Sequence, residues 1–280
     1  MRPTFAADRL SALQADLDGA RDAAAADPRD EMKAIWHGRR LAYLGRYNDA
    51  IKVYSDAIEI HPRSYKLRRH RGRRYITTRR FDLAVKDLTR AADLSRSVPD
   101  EVEPDGAPNA LGIPRSTTQS NIFYHLGLAH FLRGEYGDAL DAYRQCMQFA
   151  SVNDDMYCAT SYWLYLTLRR LGRDSQAERV LAPITEDMDI IENHAYHALL
   201  LMYKGRLAPE DVLAGVERES VAYATTAFGV TNWHALLGYA RRADAMLEGI
   251  ARSPAWAAFG AIAAEADLAR RASPAASGPH

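Results

Sequence analysis

The chain has 280 residues, 48% of them hydrophobic and 26% charged, and its 36 basic residues balance 36 acidic ones. A net charge of zero excludes an overall field that would favour nucleic acid or membranes, so any such preference has to come from local clusters. Only two cysteines are present, which excludes a disulfide-built secreted scaffold. No apolar run reaches the roughly 18 residues of a membrane span, and the start does not resemble a signal peptide. We therefore expect a cytoplasmic protein, with an exported form whose signal has been removed left open.

Residues 1–30 are predicted to form an N-terminal capping helix. Leu10, Leu13 and Leu17 fall on one face of a helix between residues 8 and 26. Such a helix is expected because the terminal unit of a repeat protein exposes an apolar face that has to be covered.

The next part of the chain carries an internal repeat. A shift of 34 residues places the residues of 31–62 on residues of similar character, and a third copy begins near Ser120. Weaker copies continue to residue 254. A fixed period of this length indicates a stack of helix-turn-helix units. The repeated positions are Gly38, Tyr47, Ala50, Tyr54 and Ala57 in the first copy, Gly72, Phe81, Ala84, Leu88 and Ala91 in the second, and Gly127, Tyr136, Ala139, Tyr143 and Cys146 in the third.

Similar short turns precede the second helix of several units. The segments LGRYNDA, LRGEYGDA and LGRDSQA place Gly45, Gly134 and Gly172 just after a helix, where a positive φ is needed.

These residues resemble the tetratricopeptide-repeat pattern, W-x2-L-G-x2-Y followed by A, F, A and P over 34 residues. The resemblance implies an all-α solenoid, a right-handed superhelix of about six helix-turn-helix repeats with capping helices, similar to bacterial tetratricopeptide scaffolds. It assigns repeats 1 and 2 to residues 31–96 and repeats 3 to 6 to residues 120–254.

The second repeat begins with an unusually basic helix. Residues 65–80 hold one lysine, seven arginines and no acid. Because guanidinium groups bind carboxylate and phosphate in a bidentate manner, this helix favours an anionic partner segment. The other interpretation is a solvated face that is neutralised by neighbouring helices or by an acidic loop.

Residues 97–119 interrupt the period as a Pro/Gly-rich acidic insertion loop. Four prolines and two glycines accompany the acids of this loop. Loops of this length inside a repeat array are uncommon and are usually functional or mobile, so both a gating loop and an inert spacer stay open. One hypothesis is that the acidic stretch from Asp100 to Asp105 folds over the basic helix and competes for the groove.

Residues 255–272 are predicted to form a C-terminal capping helix. Trp256, Phe259 and Ile262 are expected to face the core. The charged residues Glu265, Asp267 and Arg270 are expected to face outward. The tail, residues 273–280, is predicted to be disordered.

In tetratricopeptide arrays the first helix of each repeat lines a concave groove, and the resemblance implies which residues bind a partner there. The groove is expected to be basic at one end and aromatic at the other. The predicted partner-binding residues are Arg39, Tyr43, Lys66, Arg69, Arg73, Asn121, Tyr124, His125, Tyr162, Trp163, Arg169, Tyr196 and Tyr203.

Two functions are compatible with this groove. The first is a noncatalytic scaffold or adaptor that binds a protein or peptide, whose acidic segment docks on the basic end. The alternative is a small-molecule-binding or enzymatic solenoid with a His/Tyr-rich pocket in repeats 3–6, around His125, Tyr162 and His194. The usual nucleophile and phosphate-loop motifs are missing, which favours a protein that is not an enzyme without deciding the question. We expect no cofactor, no nucleic-acid partner, and a monomer or a homodimer.

His194 and His197 stand three residues apart after a run of acids, a spacing that could hold a metal ion. Because histidines at this spacing are common in helices, we expect both to be structural and no metal to be bound.

Overall fold

The computed structural model of the protein describes residues 5–106 and 108–272. Apart from one isolated β-bridge, between Val102 and Thr117, the regular structure of this part is helical. The tail predicted to be disordered, residues 273–280, lies outside it. The described residues form fourteen helices: α1 (Ala7–Ala26), α2 (Glu31–Tyr43), α3 (Tyr47–Ile60), α4 (Tyr65–Thr77), α5 (Phe81–Ser95), α6 (Thr118–Arg133), α7 (Tyr136–Ala150), α8 (Asp154–Arg170), α9 (Asp174–Leu181), α10 (His194–Tyr203), α11 (Pro209–Leu213), α12 (Val221–Leu236), α13 (Ala240–Ala251) and α14 (Phe259–Ala272).

Helices α2 to α13 pair into six consecutive helix-turn-helix units, and each unit packs on the next. The prediction of an all-α solenoid is confirmed. Helix α1 covers the first unit through Leu13 and Leu17, which are buried, whereas Leu10 is exposed. The fifth unit is the most irregular, because its second helix, α11, has only five residues and begins at Pro209.

Within a unit, the two helices approach closely where the repeat places a glycine. The ring of Tyr54 in α3 lies where a side chain at Gly38 in α2 would extend, and Tyr143 in α7 lies in the same way against Gly127 in α6. Both tyrosines are fully buried. The repeated glycine and tyrosine are therefore a matched pair, since a larger residue at the glycine would separate the helices.

The turns between the paired helices have the predicted left-handed geometry. Gly45, Gly134 and Gly172 have φ angles of 72°, 81° and 67°. In the second unit the same place, 34 residues after Gly45, is taken by Arg79, whose φ is 60°. A non-glycine residue in this conformation costs about 1–2 kcal/mol.

The first helices of the units form one continuous surface, which we call the inner face. Direct contacts join α2 to α4, α4 to α6, α6 to α8, α8 to α10 and α10 to α12. Two segments of the same chain lie on this surface: the connection between α5 and α6, and the C-terminal helix α14.

Helix α14 returns across the inner face instead of only closing the end of the stack. It packs on α12 and α13 and also reaches α6, in the third unit. The prediction that Asp267 faces outward is wrong, because its side chain is 2% exposed and binds Arg170 of α8 at 2.6 Å. A buried carboxylate needs a cation, and the inner face supplies one.

The apolar core consists of two clusters. The smaller is built from α1 to α4 and includes Leu13, Ile35 and Tyr54, while the larger extends from Ile51 of α3 to α14. Both cysteines, Cys146 and Cys158, are free and buried. Within the described residues, no helix combines the length and hydrophobicity needed to cross a bilayer.

Candidate binding surface on the inner face

The connection between α5 and α6, which we call the insertion segment (residues 97–117), folds back over α2 and α4. It forms a narrow loop, since the Glu103 amide donates to the Ser116 carbonyl oxygen at 3.0 Å. The Thr118 amide donates to the Glu101 carbonyl oxygen at 2.9 Å. These bonds direct its acidic side chains towards the basic helix α4.

The two glutamates of the insertion segment bind basic residues of α4. Glu101 lies 2.6 Å from the Lys66 ammonium group, and Glu103 lies 3.0 Å from Nε of Arg69. The first pair is partly exposed, whereas Arg69 and Glu103 are 3% and 9% exposed. Asn121 of α6 also donates to Glu103, at 3.2 Å. The insertion segment therefore places one carboxylate at the edge of the basic surface and one in its interior.

Two main-chain carbonyls extend the contact to α2. Arg39 donates to the Pro104 carbonyl oxygen at 2.6 Å, and Arg40 lies 3.5 Å from the Gly106 carbonyl oxygen. Gly106 lies so close to Tyr43, Arg39 and Trp36 that a β-carbon there would overlap all three. The insertion segment thus contacts α2 mainly through its backbone.

Burial is the main cause of the pKa shifts of Arg69 and His70, the two groups next to Glu103. It lowers the pKa of Arg69 to about 10, although the nearby Glu103 carboxylate opposes the shift. Burial, followed by the charges of Arg69 and Arg39, lowers the pKa of His70 well below its usual value. His70 is therefore neutral, and its Nδ1 accepts from Arg69 at 3.1 Å, which leaves Nε2–H facing Glu103.

The other arginines of the basic helix face elsewhere. Arg71 binds Asp87 of α5 with two hydrogen bonds, of 2.6 and 2.8 Å, and Arg68 reaches the same carboxylate. Arg74 lies over the ring of Tyr47, 5.4 Å from its centroid, and burial lowers its pKa to about 9. The acids that meet this helix come from the neighbouring helix α5 on one face and from the insertion segment on the other, as the second interpretation expected. Binding of an anionic partner stays a prediction.

Beyond the insertion segment, the inner face contains a cavity of about 410 Å³ between α4, α6, α8, α10, α12 and the start of α14. A smaller chamber of about 250 Å³ adjoins it beneath the insertion segment. The two share Arg73, Ser116, Asn121 and Glu192. The described residues that line the larger cavity are Arg73, Ser116, Asn121, Tyr124, His125, Met156, Ala159, Glu192, Asn193, Ala195, Tyr196, Val221, Ala222, Thr225 and Phe259.

The predicted groove residues fall into three groups. One group contacts the insertion segment or lines the smaller chamber beneath it: Arg39, Tyr43, Lys66, Arg69, Arg73 and Asn121. A second group lines the larger cavity and includes Arg73 and Asn121 again: Arg73, Asn121, Tyr124, His125 and Tyr196.

The third group lies in the packing between helices or at the turn after α8. Tyr162 and Trp163 are 0% and 1% exposed, and Tyr203 is buried with its hydroxyl donating to the Gly229 carbonyl oxygen at 2.8 Å. Arg169 pairs with Asp174 at 3.2 Å. Helix α8 is surrounded by α6, α7, α9 and α10, so repeat phase alone could not show which of its faces was open.

The histidines proposed as metal candidates do not converge on the cavity. His194 is exposed, and His197 is held by a hydrogen bond of 2.7 Å between its Nε2 and the Thr185 carbonyl oxygen. Among the described residues, the ligand atoms that come within 4.8 Å of one another belong to His130, Glu135 and Asp138, where His130 and Glu135 already form an ion pair.

Sequence reasoning missed Asp155, which organises the wall shared by the two chambers. Its buried carboxylate accepts hydrogen bonds from the backbone amides of Ile191, Glu192 and Asn193 and lies 2.7 Å from Arg115 of the insertion segment. Burial opposes its charge, but these amides and Arg115 outweigh that effect and lower the pKa of Asp155. No local pattern could reveal it, because its partners lie 36 to 40 residues away.

Comparison with known proteins gives distant matches. No protein-family model matches the chain. BBSome complex member BBS4 of Bos taurus is 24% identical over 139 residues, which cover 50% of this chain and 22% of that protein. The chain thus spans about a fifth of the length of that curated relative.

Similar solved structures are those of MamA and of YrrB, described as a TPR protein with an unusual peptide-binding site. MamA is 15% identical, with 73% of this chain and all of that chain covered and a TM-score of 0.47. YrrB is 13% identical, with 84% and 92% covered and a TM-score of 0.48. The predicted architecture of stacked helix-turn-helix repeats is seen in the fold of the chain itself, as six consecutive units. Three features of this chain are typical of such repeats: the 34-residue period, the glycine–tyrosine pairs and the left-handed turns.

Proposed function

We propose that the chain is a protein-interaction scaffold whose basic inner face binds an extended acidic segment of another protein in place of the insertion segment. The observation that carries this proposal is the position of the insertion segment, which lays two carboxylates and two main-chain carbonyls on Arg39, Arg40, Lys66 and Arg69. A partner segment with the same spacing of acids would meet the same groups.

A partner segment can replace the insertion segment because the insertion segment buries little apolar surface. Its larger apolar side chains, Val102, Leu111 and Ile113, are 60%, 65% and 45% exposed. Segments held by few apolar contacts open at a small fraction of the global unfolding free energy. When this segment opens, Arg69 and Lys66 become available to carboxylates from elsewhere.

The test uses the segment itself as a probe. A fluorescent peptide with the sequence of residues 98–106 is titrated into the full chain and into a variant that lacks residues 99–113 but keeps Arg115. A short tether gives the internal segment an effective concentration in the millimolar range. We therefore expect the deletion variant to bind the peptide at least about tenfold more tightly than the full chain.

Charge variants in the deletion background show where the peptide binds. Lys66→Gln and Arg69→Gln should each weaken binding, and added salt should weaken it further because ion pairs at the surface are screened. Arg80→Gln is the matched control, since Arg80 is exposed and its side chain binds Asn48, at 2.9 Å, and no acid among the described residues. A peptide with glutamine at both glutamates should bind poorly.

If the deletion variant does not fold, the full chain carrying Glu101→Gln and Glu103→Gln replaces it, because this variant weakens the internal competitor at constant length. Equal affinity of the peptide for the original chain and for the variant that replaces or lacks the internal acids would refute the proposal. So would binding that does not respond to Lys66→Gln and Arg69→Gln.

A further inference from the structure

The larger cavity of the inner face contains a guanidinium group without a protein partner. Within residues 5–106 and 108–272, the side chain of Arg73 makes no hydrogen bond and no ion pair, and its Nε is buried. The neighbouring arginines differ, since Arg69 binds Glu103 and Arg115 binds Asp155. Arg73 is half-buried, with its Nε shielded from solvent, and a partly desolvated cation without a paired acid favours the binding of an anion.

A second donor comes from a chain of hydrogen bonds that ends at the same cavity. The indole N–H of Trp163 donates to the Tyr124 hydroxyl at 2.9 Å, and this hydroxyl donates to the Tyr196 hydroxyl at 3.1 Å. Because an indole nitrogen only donates, the chain runs in one direction. Among the described residues, no acceptor receives the remaining hydrogen of Tyr196, which is thus available to a ligand.

Arg73 and Tyr196 lie within electrostatic reach of each other. Burial raises the pKa of Tyr196, and the hydrogen bond from Tyr124 together with the charge of Arg73 opposes the rise. Ser116, which accepts from Asn121 at 2.8 Å, adds a hydroxyl to the same wall. This side of the cavity therefore presents an excess of donors.

The rest of the cavity wall combines apolar side chains with His125, Asn193 and Thr225. Phe259 of α14 lies against Tyr124 and His125, with ring centroids 6.3 and 5.7 Å apart. A volume of about 410 Å³ is within the range of small-ligand sites. The remaining apolar lining residues are Met156, Ala159, Ala195, Val221 and Ala222.

The charges favour a single negative charge. One unpaired guanidinium group matches one carboxylate, whose two oxygens fit its planar fork. Glu192 lies on the wall of the same cavity and accepts from Asn109 at 3.1 Å, so its charge opposes a dianion such as phosphate.

We propose that this cavity binds a small organic monocarboxylate, whose carboxylate contacts Arg73 and Tyr196 and whose apolar part lies against Phe259 and Met156. This function is separate from the exchange of the insertion segment. It depends on Arg73 and Tyr196, whereas peptide binding depends on Lys66 and Arg69.

The test measures binding of octanoate and 3-phenylpropionate to the full chain by calorimetry and ligand-detected NMR. The corresponding amides, octanamide and 3-phenylpropanamide, have the same apolar parts without the charge, and inorganic phosphate represents a dianion. We expect at least one carboxylate to bind roughly tenfold more tightly than its amide, as for a charge-assisted hydrogen bond.

Three variants locate the site. Arg73→Gln should abolish the preference for the carboxylate, and Tyr196→Phe should weaken carboxylate binding about fivefold, as expected for one hydrogen bond. Arg80→Gln, at the exposed arginine described above, should leave binding unchanged. If Arg73→Gln does not fold, Arg73→Lys replaces it and should weaken binding, because a lysine lacks the planar fork.

Three results would overturn the proposal. The first is that neither carboxylate binds more tightly than its amide. The second is carboxylate binding that is unchanged in both the Arg73 variant and Tyr196→Phe. The third is a preference of the cavity for phosphate over both carboxylates.

Discussion

The inner face is covered by two segments of the same chain that are held in opposite ways. The insertion segment lies on the first two repeats through carboxylates and main-chain carbonyls, and its apolar side chains remain exposed. Helix α14 packs on α6, α12 and α13 largely through small and apolar residues, and Asp267 joins it to the fourth repeat by the ion pair with Arg170. Its buried residues are Gly260, Ala261, Ile262, Ala263, Ala264, Ala266 and Asp267.

Helix α14 is therefore part of the core, whereas the insertion segment is held on the surface in the way that a bound peptide would be. Apolar burial stabilises α14 at any salt concentration, by roughly 25 cal/mol for each Å² removed from water. The insertion segment has few buried apolar side chains, and its partly exposed pair of Glu101 with Lys66 is worth little and is screened by salt. The pair of Glu103 with Arg69 is buried and is the stronger of its two ion pairs with α4. We therefore expect α14 to stay in place until the solenoid unfolds, and the insertion segment to open well before.

The largest effect is expected from a change that breaks the packing of α14. A methyl group at Gly260 would overlap the Ala224 carbonyl oxygen and the backbone at Thr225 in α12, where nothing can move aside. Gly260→Ala should lower the free energy of unfolding by about 3 kcal/mol or more, measured by urea denaturation.

Gly249→Ala is the matched control for this change. Gly249 lies in α13 with nothing within 4 Å of an added β-carbon, so alanine should be neutral or stabilise by up to about 1 kcal/mol. Equal effects of the two substitutions would show that α14 is not tightly docked, and the contrast between the two segments would be lost.

An intermediate effect is expected where the insertion segment is anchored to the fourth repeat. Asp155→Asn removes a carboxylate that binds three backbone amides and Arg115, and should destabilise the protein by about 2 kcal/mol at neutral pH. Protease cleavage within residues 97–117 should increase. Asp154→Asn, which removes an acceptor for the single amide of Asp189, should have a smaller effect.

The pH dependence of this effect has a defined sign. Because the pKa of Asp155 is lower in the folded protein than in the unfolded chain, its contribution is complete above about pH 4 and is lost as the pH falls through the folded-state value. The stability difference between the original protein and Asp155→Asn should therefore shrink below about pH 4. A difference that stays constant down to pH 2 would contradict this.

The smallest effect is expected at the edge of the insertion segment. Glu101→Gln removes the partly exposed pair with Lys66 and should change the free energy of unfolding by less than about 1 kcal/mol. Glu59→Gln, at an exposed acid of α3, is the control. A loss several times larger from Glu101→Gln would place the insertion segment in the core, together with α14.

The sequence was sufficient for the features that repeat along the chain. The 34-residue period predicted the units, and the turn glycines predicted the left-handed residues at Gly45, Gly134 and Gly172. Both depend on neighbours within one unit, so a local pattern reports them. The basic helix and the acidic insertion were also visible as composition, and their contact agrees with the hypothesis that one folds over the other. Competition for the groove stays a prediction.

Contacts between distant parts of the chain were beyond local patterns. The return of α14 brings Asp267 to Arg170, 97 residues earlier in the chain. In the same way, Tyr162 and Trp163 were expected in the groove, but α8 is enclosed by four helices, so its sequence has no polar face to indicate the open side. The cavity combines residues from six helices, and no spacing within one of them describes it.

The strained turn at Arg79 has a consequence for folding. Its guanidinium group binds Glu265 with two hydrogen bonds, of 2.8 and 2.6 Å, and donates to the Trp256 carbonyl oxygen at 2.7 Å, across as many as 186 residues of chain. In most repeat arrays each repeat contacts only its two neighbours, so the two ends of the array can unfold independently. Here the second repeat and the last helix close a loop. Their folding is therefore expected to be mutually dependent, and slower than in an open array of the same length because a long loop has to close first.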